Sequence, residues 1–231
     1  GPYRQSERYD QFNIALDSLN QLGLLYPCWC SRKEVREAAI APHASDEGPV
    51  YTGICRPRKP TVLPSLDSLP QRAGRQPALR INVGEAMARI GCQQITFVDG
   101  IAGEQSFNIV ERMGDFVVRR VDRIAAYQVA CAWDDVAMGC TEVLRGRDLL
   151  PSTARQLLIL KLLQLPVPAY AHAGLVTDAL GQRLAKRDSA TSIEDMRNRG
   201  LNPGSVIRTL ANLSNLPDTA DLDLLTDAFE N

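Results

Sequence analysis

The apolar and polar positions of residues 115–161 predict the unit around which the rest of the chain is organised. A β-branched run that starts at Phe116 precedes an apolar segment opening at Tyr127, and a second short apolar run stops at Arg145. This order predicts a strand, a helix, a strand and a polar turn, followed by a leucine-rich helix with Pro151 in its first turn. Because ligands of open α/β sheets bind beyond the carboxyl ends of the strands, Arg145 is a candidate site residue.

The pattern before this unit predicts shorter elements. An amphipathic helix is expected over residues 9–24, and half-exposed strands over residues 79–83 and 94–100 suggest a small antiparallel excursion. Residues 57–77 contain several prolines and no long periodicity, so we expect a connector that does not join the core.

The pattern after this unit predicts a strand over residues 170–176 and helices over residues 191–200 and 205–213. A sequence that resembles a capping box, from Thr191 to Glu194, marks the start of the first of these helices. The acidic residues after the second helix are expected to form a mobile tail.

The composition is that of a globular protein with a sizeable core. The chain has 231 residues, of which 45% are hydrophobic, and a formal net charge of −1. Because no global basic field is present, a nucleic-acid partner would have to bind through a local patch. No apolar run approaches the roughly 20 residues that span a bilayer, and the expected location is cytoplasmic.

Three of the six cysteines lie close together in the sequence and are candidate metal ligands. Cys28 and Cys30 offer two thiolates from one turn and Cys55 offers a third, which suits the four tetrahedral ligands of Zn²⁺. The fourth ligand is either His43, favoured by ordinary ligand preference, or Tyr51, whose phenol would have to ionise against a reference pKa of about 10. Three reduced cysteines without a metal are the alternative.

The basic segment at residues 183–187 follows a glycine turn, and its Lys186 suits a transient polyphosphate because lysine is a movable point charge. The same spacing also fits a solvated hairpin. Tyr127 and Arg145 are ambiguous when each is considered alone, since a helical tyrosine usually lies in the core and an arginine at a strand end is often in a surface ion pair.

A series of short motifs lies between Arg119 and His172. In chain order they are Arg119-Arg120-Val121-Asp122, Ala126-Tyr127, Asp134-Asp135, Thr141-Glu142-Val143-Leu144-Arg145-Gly146, Asp148-Leu149-Leu150, Ser152-Thr153-Ala154-Arg155-Gln156 and Tyr170-Ala171-His172. Together they resemble the second half of the catalytic core of class I glutamyl-type aminoacyl-tRNA synthetases. Residues 183–187 resemble the Lys-Leu-Ser-Lys form of the class I Lys-Met-Ser-Lys-Ser signature. The cysteine and tyrosine spacing is similar to the zinc site of the glutamyl-Q tRNA(Asp) synthetases, short paralogues of glutamyl-tRNA synthetase.

The resemblance implies an α/β fold, namely the second half of a class I Rossmann-type catalytic core with a small zinc-binding insertion and a short C-terminal helical part. The implied division places a helix of the nucleotide-binding core at residues 1–27 and the zinc-binding insertion with its connector at residues 28–78. The second half of the catalytic core, including the basic signature segment, takes residues 79–187, and a helical segment takes residues 188–231.

The implied activity is that of a ligase-type synthetase paralogue, in which ATP, with Mg²⁺, activates glutamate to glutamyl-adenylate and pyrophosphate is released. The glutamyl group is then transferred to queuosine in the anticodon of tRNA(Asp). By the same resemblance Tyr127 and Arg145 contact the glutamate, and Arg145 is able to hold a carboxylate bidentately. Lys186 would bind the ATP phosphates and stabilise the transition state.

The resemblance also makes Tyr51 the fourth zinc ligand beside Cys28, Cys30 and Cys55. Four protein ligands leave no open position on the metal, so the implied zinc is structural. The implied partners are glutamate, ATP and tRNA(Asp), and we expect a monomer without a membrane partner.

The chain departs from the family pattern at several positions. Arg183 stands in place of the usual lysine, Ala185 in place of serine, and Arg123 in place of glycine. No His-Ile-Gly-His-like ATP motif precedes Tyr9, and we expect a fragment of a longer protein rather than a truncated paralogue. The alternative functions are a fragment of a discriminating glutamyl-tRNA synthetase, which the short segment after Arg187 disfavours, and a non-catalytic paralogue that binds zinc and tRNA.

Overall fold

The computed structural model describes residues 3–38, 50–175 and 192–230. The chain divides into two compact units, residues 1–173 and 174–231. Helices and strands alternate through the first unit, which confirms the predicted α/β class. Among the described helices, none has both the length and the apolar character that crossing a bilayer requires.

The elements of the first unit include the predicted strand, helix, strand and long helix of residues 115–161. The helices are α1 (Tyr9–Gln21), α2 (Arg32–Ala38), α3 (Val83–Arg89), α4 (Ile109–Arg112), α5 (Tyr127–Ala137) and α6 (Leu150–Leu162). The strands are β1 (Leu25–Cys28), β2 (Ala78–Ile81), β3 (Ile95–Asp99), β4 (Gly103–Phe107), β5 (Val117–Arg119), β6 (Glu142–Gly146) and β7 (Ala169–Ala173). The central prediction is confirmed by β5, α5, β6 and α6, because these periodicities are local signals.

The strands form two sheets. In the three-stranded sheet, β2 lies between β1 and β5 and is antiparallel to both. In the four-stranded sheet, with the order β4-β3-β7-β6, β7 is parallel to β3 and β6, and β4 forms an antiparallel hairpin with β3. The strands predicted over residues 79–83 and 94–100 therefore lie in different sheets, and the expectation that they form one antiparallel excursion is wrong. Alternation identifies a strand, but long-range packing selects its partner.

Helix α6 is buried along most of its length because it packs against α3, α5 and β3. The apolar core that it joins includes Phe12, Leu16, Leu19, Leu79, Ile81, Leu157 and Leu158. The polar side chains of Ser152, Thr153 and Gln156 on α6 are buried as well. Burying polar groups is costly unless they are hydrogen-bonded, so these residues mark the place where the core meets a polar site.

Residues 57–77 contain no helix or strand, but the prediction that they stay out of the core is wrong. Leu66 is buried in the core, and its carbonyl oxygen accepts a hydrogen bond from the guanidinium of Arg119. The side chain of Asn20 donates to the carbonyl oxygen of Leu63 at 2.9 Å and accepts from the amide of Leu63 at 2.9 Å. Single side chains anchor this segment, and they leave no periodic signal in the sequence.

The second unit contains α7 (Ile193–Asn198), α8 (Pro203–Leu213) and α9 (Leu222–Glu230). Ser192 and Asp195 form the capping box of α7, one residue beyond the predicted start, and Thr191 lies outside the described residues. The acidic C-terminal segment, where the sequence predicts a mobile tail, contains α9. Leucines at helical spacing, Leu222 and Leu225, explain this helix better than the net charge does.

Gly114 permits the close approach of the segment that carries Tyr51. Its φ is +60°, Tyr51 forms an isolated bridge to it, and a Cβ at this position would lie 2.9 Å from Val50 Cγ1. We expect Gly114→Ala to lower the free energy of unfolding by about 2–3 kcal/mol, because both the backbone conformation and the contact are unfavourable for alanine. Urea denaturation measures this loss.

The matched control is Gly139→Ala. Gly139 also has a positive φ, +69°, but a Cβ there meets no atom within 4 Å. The expected loss is about 1 kcal/mol, from the backbone conformation alone. Equal losses in the two variants would contradict the packing explanation for Gly114.

Candidate functional site

The carboxyl ends of three parallel strands bring three polar residues to one edge of the four-stranded sheet. Asp99 ends β3, Arg145 precedes the last residue of β6, and His172 precedes the last residue of β7. Arg145 is in register with His172, and Asp99 is in register with Tyr170. The predicted placement of Arg145 at a strand end is confirmed, and this is the edge at which open α/β sheets bind ligands.

His172 is fully buried and is held by the carboxylate of Asp99. Its Nδ1 lies 2.5 Å from Asp99 Oδ2, and its backbone amide donates to Asp99 Oδ1 at 3.0 Å. The amides of Ile101 and Ala102 also donate to Oδ1, at 3.1 Å and 2.8 Å. Burial opposes ionisation of Asp99, but the hydrogen bonds from His172 and from these amides outweigh it and lower its pKa to about 2. The carboxylate is therefore ionised at neutral pH.

The guanidinium of Arg145 is anchored on one side by β7 and α6. Its Nε donates to His172 Nε2 at 3.2 Å, and its Nη2 donates to Gln156 Oε1 at 2.7 Å and to Thr153 Oγ1. These bonds engage Nε and Nη2, so the remaining N–H groups are those of Nη1. A ligand carboxylate would therefore hydrogen-bond to Nη1 and not to both Nη1 and Nη2.

Tyr127, the first residue of α5, lies beside this guanidinium and is 47% exposed. Burial raises the pKa of its phenol, and the positive charge of Arg145 opposes that rise. The ring centroid of Tyr170 lies 5.2 Å from Arg145 Cζ, and burial raises the pKa of Tyr170 to about 12. Among the described residues, the Tyr170 hydroxyl and Gln156 Nε2 are buried polar atoms without a hydrogen-bond partner. Polar atoms thus surround a partly exposed cation.

The second candidate site is a cluster of Cys28, Cys30, Tyr51 and Cys55. The three Sγ atoms lie within 4.8 Å of one another, and those of Cys30 and Cys55 are 3.6 Å apart. The Tyr51 hydroxyl oxygen lies 3.4 Å from Cys28 Sγ and 3.7 Å from Cys30 Sγ. A tetrahedral Zn²⁺, with bonds of about 2.3 Å to sulfur and about 2.0 Å to oxygen, separates its ligands by about 3.8 Å and about 3.5 Å. The donor set therefore fits tetrahedral zinc.

The electrostatics of this cluster suit a bound cation. Burial raises the pKa of Cys30 to about 12 and also raises the pKa of Tyr51, so a nearby cation is needed to ionise these ligands. The amide of Cys55 donates to the Tyr51 hydroxyl oxygen at 2.8 Å. Arg80 Cζ lies 3.8 Å from the centroid of the Tyr51 ring, and Arg80 Nε donates to Cys28 Sγ at 3.4 Å. One protein cation thus faces two of the candidate ligands.

Asp115 connects the cysteine segment to the three-stranded sheet. Its fully buried carboxylate accepts hydrogen bonds from the Tyr26 hydroxyl at 2.5 Å, Arg56 Nε at 2.6 Å and the amide of Val83 at 2.9 Å. Its carbonyl oxygen accepts from Arg80 Nη1 at 2.7 Å. Because Arg56 directly follows a cysteine of the cluster, this carboxylate fixes the cluster against the core.

The sequence identifies some residues of these sites and misses others. His43, Lys186 and the rest of the basic segment at residues 183–187 lie outside the described residues. Sequence reasoning assigns no role to Asp99, and it includes His172 only as part of a motif that carries the family resemblance. The signal that identifies both residues is their place at the ends of parallel strands, which becomes visible only when the strand order is known.

Comparisons with known proteins identify a family and several relatives. The chain matches the family described as tRNA synthetases class I (E and Q), catalytic domain, over residues 1–222. It is 41% identical to a glutamyl-Q tRNA(Asp) synthetase of Nitratidesulfovibrio vulgaris and 42% identical to one of Symbiobacterium thermophilum, in each case over 94% of this chain and 64% of the relative. A glutamate–tRNA ligase 2 of Alkalilimnicola ehrlichii is 37% identical over 99% of this chain and 47% of the relative. The chain spans less than two thirds of the length of these relatives.

Solved structures agree with this fold. The crystal structure of a glutamate–tRNA synthetase from Elizabethkingia anophelis matches with a TM-score of 0.68 and 22% identity, over 99% of this chain and 50% of that chain. A glutamate–tRNA ligase from Elizabethkingia meningosepticum matches with a TM-score of 0.66 and 22% identity. At this level of identity the likeness concerns the fold, and it confirms the predicted class I catalytic-core architecture.

The low pKa of Asp99 makes stability depend on pH. An aspartate carboxyl in an unfolded chain has a pKa of about 3.9. The contribution of Asp99 to the free energy of unfolding is therefore complete above about pH 5, and it is lost as the pH falls through about 2. We expect the difference in free energy of unfolding between the wild type and Asp99→Asn to be constant from about pH 7 to about pH 5. By about pH 3 it should shrink by about 1 kcal/mol.

Urea unfolding across this pH range, followed by tryptophan fluorescence, measures the difference. Asp17→Asn is the control, because it removes an exposed carboxylate from α1. A difference for Asp99→Asn that stays constant down to about pH 3 would contradict a buried, ionised carboxylate.

Proposed function

The chain belongs to the class I glutamyl and glutaminyl tRNA synthetase catalytic-domain family, and from this we propose that the protein activates glutamate with ATP and transfers it to queuosine of tRNA(Asp). The relatives of 41% and 42% identity that are named glutamyl-Q tRNA(Asp) synthetase support this choice of substrates. The proposal rests on the anchored guanidinium of Arg145, which lies beside the partly exposed phenol of Tyr127 at the carboxyl edge of the parallel strands.

In this proposal Arg145 and Tyr127 bind the side-chain carboxylate of glutamate. Nη1 donates to one carboxylate oxygen and the Tyr127 hydroxyl donates to the other, and both bonds gain strength from the charge of the acceptor. Glutamine has no negative charge to pair with the guanidinium, so the same groups would bind it less tightly. The site therefore selects an amino acid with an acidic side chain.

The activation step needs positioning and charge neutralisation more than it needs acid–base chemistry. An oxygen of the glutamate α-carboxylate attacks the α-phosphorus of ATP, the bond to the bridging oxygen breaks, and pyrophosphate leaves. By resemblance, Lys186 neutralises the phosphate charge together with Mg²⁺, while the Arg145 site holds the nucleophile in place. The glutamyl group then passes from the adenylate to a hydroxyl of queuosine, and AMP is released.

We also propose that Cys28, Cys30, Tyr51 and Cys55 hold a structural Zn²⁺. The ligand separations and the amide of Cys55 at the phenol oxygen support Tyr51 as the fourth ligand, and His43 is the alternative. When bound, the ion would fix the insertion through four protein ligands, which leave no position for a reacting water.

The second candidate function is that of a discriminating glutamyl-tRNA synthetase. The 37% identity to a protein named glutamate–tRNA ligase 2 favours it. By family resemblance that enzyme requires tRNA to activate glutamate, whereas the glutamyl-Q enzymes do not, and this difference separates the two. A non-catalytic module that binds zinc and tRNA would show no glutamate-dependent reaction.

Exchange of labelled pyrophosphate into ATP, without tRNA, tests the activation step. We expect exchange that depends on glutamate, measured on this chain and on any longer natural form of the protein. Arg145→Gln should lower kcat/KM for glutamate by roughly a hundredfold, because the charge that pairs with the substrate is removed.

Arg112→Gln, which changes an exposed arginine of α4, is the control and should retain exchange. Exchange only in the presence of tRNA would favour the discriminating enzyme. Exchange that is independent of glutamate would contradict the proposal.

Metal analysis of purified variants tests the zinc site. The wild type and Cys140→Ser, an exposed cysteine, should each carry about one equivalent of zinc, whereas Cys55→Ser should carry much less because a ligand is lost. Tyr51→Phe should lose zinc and His43→Ala should retain it. Zinc retained by Tyr51→Phe and lost from His43→Ala would make His43 the fourth ligand. A full equivalent of zinc in Cys55→Ser would contradict the assignment of the site.

A further inference from the structure

We infer that Asp99 and His172 are positioning residues that hold the Arg145 guanidinium in the orientation that receives glutamate. The inference rests on the proposed function at one step, the binding of the substrate carboxylate by Arg145. His172 is 0% exposed and Asp99 is 2% exposed, so neither is placed to touch a substrate. Any effect of these two residues on substrate binding must therefore act through Arg145.

The chemistry of arginine decides which nitrogen of His172 carries the proton. A guanidinium has donors and no acceptor, so Nε of Arg145 can bond to His172 Nε2, 3.2 Å away, only if Nε2 presents a lone pair. Thr153 Oγ1 lies 2.9 Å from the same nitrogen and 3.2 Å from the carbonyl oxygen of Leu149, so in this tautomer its single proton has two acceptors within reach. The proton of a neutral imidazole must then reside on Nδ1.

Asp99 stabilises that tautomer from the opposite side of the ring. Its Oδ2, 2.5 Å from Nδ1, accepts the proton, and its Oδ1 is occupied by the backbone amides of Ile101, Ala102 and His172. The three amides prevent the carboxylate from rotating, so its free oxygen stays aimed at the imidazole. A hydrogen-bonded partner that fixes both the tautomer and the direction of a histidine ring is a known means of orienting a site.

The result is a chain of oriented hydrogen bonds in which Arg145 donates to His172 and His172 donates to Asp99, with one member from the end of each parallel strand. With Nε bound to the imidazole and Nη2 bound to Gln156 and Thr153, the guanidinium plane is fixed. Nη1 is then the nitrogen left to point away from this anchor. If Nε2 of His172 lost its lone pair, Arg145 Nε would lose this hydrogen bond. The guanidinium plane would then no longer be fixed, and Nη1 would point in another direction.

Asp99→Asn tests this chain because it preserves shape and changes hydrogen-bond polarity. The amide oxygen can go on accepting from the backbone, which turns the amide NH₂ towards Nδ1. The imidazole proton must then move to Nε2. There it faces the N–H of Arg145 Nε, and two donors cannot form a hydrogen bond with each other. Nitrogen-15 NMR of the imidazoles reads the tautomer directly, and the chain has 2 histidines, so His43→Gln assigns the signals.

We expect His172 to be protonated at Nδ1 in the wild type and at Nε2 in Asp99→Asn. Calorimetry should show a dissociation constant for L-glutamate that is weaker by roughly tenfold to a hundredfold in the variant, with that for ATP unchanged. Asp17→Asn, on the exposed face of α1, should match the wild type in both measurements.

A second pair of variants keeps the inference testable if Asp99→Asn folds poorly. His172→Gln retains an oxygen that can accept from Arg145, whereas His172→Leu retains none, so glutamate affinity should be better preserved in the glutamine variant. Equal affinity in these two variants, an Nε2 proton in the wild type, or glutamate binding by Asp99→Asn at the wild-type level would each overturn the inference. Wild-type protein that does not bind glutamate would instead contradict the proposed function and remove the inference with it.

Discussion

The burial of the Asp99 carboxylate is the constraint on which the four-stranded sheet and the candidate substrate site both depend. A buried anion is costly unless hydrogen bonds compensate it, and here the compensation comes from parts of the chain that must meet for it to be complete. The amides of Ile101 and Ala102 close the turn into β4, and the amide and imidazole of His172 join β7 to β3. Satisfying one carboxylate therefore joins β7 to β3 and places the histidine that anchors Arg145.

The carboxylate of Asp115 serves the cysteine cluster in the same way. It gathers donors from β1, from the segment after Cys55 and from the start of α3, and so joins the insertion to the three-stranded sheet. Arg80 extends this connection to Cys28 and Tyr51. Both candidate sites are thus built outward from a buried anion at the edge of a sheet, which keeps their geometry rigid before any ligand binds.

Local signals explain what the sequence predicts. Periodicity identifies the elements of residues 115–161, and the close spacing of Cys28 and Cys30 identifies a cluster whose geometry fits zinc. Long-range pairing explains what it misses: the strands near residues 79–83 and 94–100 belong to different sheets because packing chooses their partners. Asp99 and His172 lie 73 residues apart and meet only because β7 lies between β3 and β6.

In the proposed function, an anchored Arg145 presents Nη1 to the side-chain carboxylate of glutamate. A crystal structure of this chain with bound L-glutamate tests it most directly. We expect this carboxylate to lie within hydrogen-bonding distance of Arg145 Nη1 and the Tyr127 hydroxyl, while Nε stays bonded to His172. A glutamate bound elsewhere, or an Arg145 side chain that leaves His172 to reach it, would contradict this role of Arg145.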